Sequence, residues 1–258
     1  MGIQKEIDVI IEKLKPHELE TVKIKPIAKA PKHPWSSKFG GKAYWPKGAE
    51  YPSSNEGAPL FLLSQINFED MPHLAGYPEN GILQFFIEND DVYGLDFETP
   101  LDDILKKPNG YRVIYHPEFF SEIESDLPVA SNNCMLPLCE EYSLSFTLVK
   151  ELPSPSDYRF EPIVGDIFDL DEKVSDHIYE NLDATGSKVG GYAYFTQEDP
   201  RSYEKTDENW LLLFQMDTSD CEEVDIMWGD SGVGNFFIKP ELLSKCDFSE
   251  VWYNWDCC

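Results

Sequence analysis

Basic residues are scarce in this chain. It holds 21 Lys and Arg against 48 Asp and Glu, a formal net charge of −27 over 258 residues. So acidic a surface repels nucleic acid and anionic membrane, so neither is expected as a partner; a basic protein is. The shortage is uneven, because residues 1–48 carry ten Lys and five acids and the deficit lies beyond them. Long hydrophobic runs are missing too. No stretch reaches the roughly 18–20 apolar residues of a membrane span, and Met1 to Leu19 contains no apolar core of a signal peptide. Cys134, Cys139, Cys221, Cys246, Cys257 and Cys258 form no C-x-x-C pair and no zinc spacing with histidine. They read as six free thiols in a reducing, cytoplasmic compartment. Cys257-Cys258 is no prenylation box, since Trp255 stands where that motif needs cysteine. His17, His33, His73, His116 and His177 show neither ligand nor triad spacing. No metal, cofactor or catalytic residue is therefore expected, and an enzyme is the weaker reading.

What is present is repetition. Ser37-Lys38-Phe39-Gly40-Gly41-Lys42-Ala43-Tyr44-Trp45 returns 150 positions later as Ser187-Lys188-Val189-Gly190-Gly191-Tyr192-Ala193-Tyr194-Phe195. Leu62 to Asn67 returns at the same offset as Leu212 to Asp217. Gly81 to Ile87 matches Gly232 to Ile238 with one residue inserted, and Val113-Ile114-Tyr115 matches Val251-Trp252-Tyr253. Four blocks in one order imply a duplicated unit. The expected organisation is a single domain, 1–258, of two repeats at about 37–118 and 187–256, joined by 119–186.

Aromatic residues make up 14% of the chain, which favours sheet. The apolar run Leu60–Ile66 fits a strand buried on both faces, and 210–217 reads as a strand of the second unit. Further strands are expected around Ala43–Trp45, Ile82–Ile87, Tyr93–Phe97, Tyr111–Tyr115, Tyr142–Val149, 191–196, 223–228, 233–239 and 249–255. Connections are short and turn-rich, which favours antiparallel pairing. Ile3, Ile7, Ile10, Ile11 and Leu14 form the apolar stripe of a first helix, expected to pack on the sheet. Leu170, Val174, His177, Ile178 and Leu182 have helical spacing in an acidic segment. The fold class is mainly β: duplicated antiparallel sheet units in a roll-like, pseudo-twofold arrangement, pictured as two curved sheets side by side, with an N-terminal helix and a few short helices.

The ordered set G-G-x-A-Y-W-P, P-L-x-L-L-x-Q-I-N, G-x-L-Q-F-F-I and G-D-S-G-x-G-N-F-F-I resembles the YwqG-like family of bacterial cytosolic proteins. The resemblance covers nearly the whole chain. It implies a duplicated, roll-like β fold and carries no catalytic residues. Some members have been proposed as immunity-type proteins beside secreted toxins.

Gly229-Asp230-Ser231 resembles the nucleophile motif of GDS-type esterases, but no histidine follows His177, so a triad would need a foreign order. Gly229, Gly232 and Gly234 suit a phosphate cradle, yet no helix pattern starts after them. A Gly-rich turn entering a strand explains the same residues. Asp217, Asp220, Glu222, Glu223 and Asp225 read as a solvated acidic edge rather than a calcium loop. Gln65 and Gln215 stand at matching places inside apolar strands, followed by Asn67 and Asp217, and each buried amide needs partners. They either fasten loop backbone in each half or line a cleft between halves. Gln65, Asn67, Gln215, Asp230, Ser231 and Asn235 are the candidate ligand-binding residues. Two functions stay open: a non-enzymatic interaction protein, of which an immunity-type inhibitor of a basic toxin is one form, and a small-ligand binder or hydrolase-type enzyme using a cleft between repeats.

Overall fold

The computed structural model describes residues 2–131, 134–204, 208–219 and 221–258. In chain order the main elements are α1 (Ile3–Leu14), β1 (Leu19–Ile27), β2 (Lys38–Phe39), β3 (Phe61–Asn67), β4 (Ile82–Ile87), α2 (Leu101–Lys106), β5 (Tyr111–His116) and β6 (Tyr142–Glu151). Then follow α3 (Glu161–Val164), α4 (Glu172–Asn181), β7 (Lys188–Gly190), β8 (Leu211–Asp217), β9 (Val233–Ile238), α5 (Pro240–Leu243) and β10 (Val251–Asp256).

The strands form one antiparallel sheet in the order β10-β9-β8-β7-β1-β6-β2-β3-β4-β5, curled into a nearly closed barrel-like shape. The order reads as β2 to β5 on one side and β7 to β10 on the other. The first strand of each half is exchanged: β1 pairs with β7, and β6 pairs with β2. β1 and β6 then pair with each other along their whole lengths, Leu19 opposite Glu151 through Ile27 opposite Ser143. That exchange fuses the expected two sheets into one.

The halves also share detail. Both β3–β4 and β8–β9 carry a bulge at the same step, between Leu62 and Ser64 and between Leu212 and Phe214. One extra residue there turns side chains on either side of it to suit both faces. The repeated Gly pair explains why β2 and β7 are so short. Gly40, Gly41, Gly190 and Gly191 all have positive φ. A Cβ on Gly191 would lie 1.8 Å from Thr21 Oγ1, and one on Gly40 would lie 2.2 Å from the Glu140 carbonyl oxygen. Two left-handed residues in a row end the ladder, so the strands expected at Ala43–Trp45 and 191–196 do not form.

The concave side of the sheet is filled by aromatic rings from both halves. Phe85 stacks on Phe214 with ring centres 4.5 Å apart and touches Phe236 at 4.8 Å. The outermost strands meet where Tyr111 of β5 donates to the Val251 carbonyl of β10 (2.7 Å). On the convex side lie two more clusters. Ala43, Trp45, Leu60, Leu62 and Phe86 form one; Ala193, Phe195, Trp210, Leu212, Phe237 and Trp252, joined by Leu105 of α2, form the other. β3, β4, β8 and β9 are thus buried on both faces, as their unbroken apolar runs require.

Several expectations are corrected. The α1 stripe does not lie on the sheet: Ile7, Ile10 and Leu14 pack against Phe160, Ile167, Val174, Ile178 and Leu182, so α1 and α4 form a separate helical layer. Residues 93–97 are turn and irregular chain, not strand. Residues 223–228 alternate as a strand would, with Val224, Ile226 and Trp228 buried, but pair with no strand. In the last repeat block Ile87 faces Tyr111 and Ile238 faces Val251. Tyr111, rather than Val113, therefore corresponds to Val251. Cys134 and Cys139 are joined by a disulfide, which leaves Cys221, Cys246, Cys257 and Cys258 as free thiols. The expectation of six thiols fails, and with it the thiol-based argument for a reducing compartment. Among the described residues no helix is long and apolar enough to cross a membrane.

Candidate binding groove and its polar frame

The paired glutamines hold loops in place. Gln65 Oε1 accepts from the Tyr44 N–H (2.8 Å), and its Nε2 donates to the carbonyls of Pro34 (2.9 Å) and Ser36 (2.8 Å). Gln215 repeats this with the Tyr194 N–H (2.8 Å) and the carbonyls of Ala184 (3.0 Å) and Gly186 (2.8 Å). Each partner lies 150 positions from its counterpart. On the neighbouring strand Gln84 and Asn235 donate to the carbonyls of Tyr44 (2.8 Å) and Tyr194 (2.9 Å). A fully buried side chain with three backbone bonds is a fastening, with no atom left to offer a ligand.

The candidate residues therefore do not converge. Gln65 and Asn67 sit in one half, Gln215, Asp230, Ser231 and Asn235 in the other. Asn67 is used up at a turn: its Oδ1 accepts from the Glu69 N–H (3.1 Å) and its Nδ2 donates to the Trp35 carbonyl (3.2 Å). Asn235 Oδ1 is buried without a partner among the described residues. Asp230 is exposed on a tight turn closed by the Gly232 N–H to the Trp228 carbonyl (2.6 Å). Ser231 has φ +83° and lines a cavity with Asp217. Asp220 lies outside the described residues. Glu222, Glu223 and Asp225 are exposed. Among the described residues no group of three or more His, Cys, Asp or Glu side chains is placed to hold a metal ion.

The second half contains a charge network that sequence reasoning missed. Arg201 is 1% exposed. It bonds Asp199 through Nε (2.9 Å) and Nη2 (2.7 Å), Asp157 through Nη2 (2.9 Å), and the Trp210 carbonyl through Nη1 (3.0 Å). Arg159 grips Asp157 from the other side with two bonds of 2.7 Å. Burial alone would push Asp157 up, but the Arg201 and Arg159 guanidinium groups outweigh it and hold the carboxyl well below the usual range. Next to it Glu151 binds Lys23 (2.7 Å) and Lys188 (3.2 Å). Burial pulls Lys188 down to about 8, against the pull of Glu151. The only local signals were two short acid–x–Arg runs, Asp157-Tyr158-Arg159 and Asp199-Pro200-Arg201, which the first repeat does not share.

Asp157 and Asp199 of this network line a groove of about 670 Å³ between the helical layer and the loop after β7. Its walls include Tyr158, Phe160, Phe168, Tyr179, Tyr194, Glu161, Asp166, Asp183 and Glu198. Phe168 is 85% exposed and Tyr179 49%. Between Phe160 and Asp183 the chain has eight carboxylates and one lysine. Two aromatic rings standing in solvent amid carboxylates suit a ligand that is both basic and flat or aliphatic along its stem.

A family model described as a domain of unknown function (DUF1963) matches residues 37–257. The match begins after β1, although β1 lies in the middle of the sheet. No curated protein matches the chain.

Proposed function

The chain belongs to the DUF1963 family, which brings no activity with it, and we propose from the groove that the protein is a non-enzymatic binding protein for a basic partner. The observation that carries this is Phe168, an 85% exposed ring bordered by Glu161, Asp166 and Asp183. An exposed aromatic residue in a concave, one-signed patch has the composition of an interface anchor. Arginine or lysine side chains of a partner would lay their stems on Phe168 and Tyr179 and their charges among the carboxylates. The likeness to YwqG-like sequences makes a basic toxin one candidate partner and the protein its inhibitor.

The test is association with a purified basic partner, followed as a function of salt. The on-rate should fall steeply as the Debye length shrinks from about 30 Å at 0.01 M to about 10 Å at 0.1 M salt. F168A should raise the dissociation rate about tenfold or more, as loss of an anchor does. The combined E161Q/D166N/D183N variant should slow association. A partner that binds equally fast at all salt concentrations, or that ignores both variants, defeats the reading.

A further inference from the structure

The two halves differ at one place where they should match. Asn67 and Asp217 both donate their backbone N–H to a serine hydroxyl: Asn67 N to Ser37 Oγ (2.9 Å) and Asp217 N to Ser187 Oγ (3.1 Å). The next residues match as well, since Phe68 N donates to the Gly81 carbonyl (3.0 Å) and Thr218 N to that of Gly232 (3.2 Å). The glutamine bonds fix Trp35 opposite Thr185. So Trp35, Asn67 and Phe68 of the first half become Thr185, Asp217 and Thr218 in the second.

In the first half this region is filled. Trp35 stacks between His33 (5.0 Å) and Phe119 (5.9 Å), and Phe68 is 4% exposed. Tyr44 meets Phe119 edge-on (6.5 Å), and its hydroxyl oxygen accepts from the Phe120 N–H (2.6 Å). In the second half two rings have become threonines, and among the described residues no donor takes the place of Phe120 on Tyr194. A cavity of about 380 Å³ opens there, lined by Tyr194, Asp217, Thr185, Ser231 and, from β1, Lys25.

The charged groups facing this space define its chemistry. Asp217 keeps one oxygen on the Gly186 N–H (2.6 Å). Burial raises its proton affinity, and so does nearby Asp183, so it gains from a cation. Lys25, exposed on β1, also lines the cavity. One carboxylate and one ammonium lining the same small cavity match a molecule with both charges.

We propose that this cavity binds a small zwitterion, an amino acid or ω-amino acid, with its ammonium group on Asp217 and the Tyr194 oxygen and its carboxylate toward Lys25. The proposal goes beyond docking of a basic partner, and neither depends on the other. Ser231 fits it too, because a non-glycine residue held at φ +83° on a cavity wall is a costly placement that binding sites often retain.

The test is calorimetric titration of the whole protein with the free amino acids and 4-aminobutyrate, with n-butylamine and butyrate as single-charge controls. At least one zwitterion should bind, and each control should bind about tenfold more weakly or worse, as the loss of one charge-assisted contact implies. D217N puts the first half's Asn67 in place with almost no change of shape and should weaken binding about tenfold or more. K25Q should weaken it less. T185W returns the first half's indole and should abolish binding, with a thermal melt to confirm the fold. No zwitterion binding at about 10 mM, n-butylamine binding as well as any zwitterion, or D217N binding like wild type would each overturn the proposal. Loss of binding on F168A alone would point to the groove instead, and would overturn it as well.

Discussion

Tyr51 and Arg201 fill the same place in the two halves with opposite chemistry. Tyr51 lies edge-on to Trp45 (5.2 Å) and Phe86 (5.7 Å). Arg201, 150 positions later, lies over the corresponding Phe195 (5.7 Å) and Phe237 (4.4 Å). One backbone therefore accepts either a ring or a guanidinium on its outer cluster. The ring needs little else. The guanidinium needs Asp157, Asp199 and the Trp210 carbonyl, all gathered from outside the repeated blocks. Both halves pack apolar side chains on their outer face, and the second adds a buried network that has to be complete to be tolerated.

That contrast breaks most easily at Arg201. R201M leaves buried Asp199 without its cation and Asp157 with Arg159 alone, and should cost about 3–5 kcal/mol in urea unfolding. Y51F should lie within about 1 kcal/mol of wild type, since the Tyr51 hydroxyl is buried without a partner among the described residues and its loss removes an unmet demand. Similar costs for the two variants would mean that the halves are held by the same forces after all.

The glutamines test what the halves share. Q65L strands the Tyr44 N–H and the carbonyls of Pro34 and Ser36; Q215L strands the Tyr194 N–H and those of Ala184 and Gly186. Each should cost about 2–4 kcal/mol by the same measurement, because several buried groups lose partners at once. Q65L should be the worse by a little, since Gln65 Oε1 also accepts from Gln84 Nε2 (2.8 Å). A negligible cost in one half alone would show that its loop is held by other means.

These residues also show how far the sequence can be read. Gln65 and Gln215 were legible because an amide inside an apolar run is conspicuous and the offset of 150 repeats it. The mainly β class followed from the aromatic content and from short strands joined by turn-rich loops. The exchange of β1 and β6 was not legible: which distant strands pair depends on how the halves meet, and neither strand lies in a repeated block. Val224, Ile226 and Trp228 alternate correctly, but alternation reports a buried face and not a neighbouring strand. The stripe on α1 showed that it packs, not that Phe160 and Val174 are what it packs on. Arg201, Asp157 and Asp199 escaped notice because a search for what the halves share passes over what only one of them has. The same holds for the groove, whose exposed Phe168 lies in the joining segment.

The smallest contrast lies at the two strand ends, where His116 and Asp256 correspond: His116 faces Ile82, and Asp256 faces Val233. His116 Nε2 donates to Gln84 Oε1 (2.9 Å), and burial lowers its pKa to about 4. The folded protein thus refuses a proton that the unfolded chain accepts near 6.5, so stability should fall as pH drops from about 6.5 to about 4. Partial exposure limits the effect to about 1–2 kcal/mol. H116Q should remove that part of the pH dependence, read as the wild-type minus variant difference in unfolding free energy across the window. Asp256 has the opposite sign. Burial raises its pKa above 3.8 more than the Gln197 N–H bond (2.8 Å) lowers it. The folded protein then holds that proton more tightly than the unfolded chain does. Its contribution is full below about pH 3.8 and is lost as pH rises through the raised value. D256N should therefore be neutral or slightly stabilising at pH 7, while H116Q gains its advantage only in acid. If both variants shift stability in the same direction between pH 4 and 7, burial is not what distinguishes these two ends, and the comparison of the halves fails at its finest point.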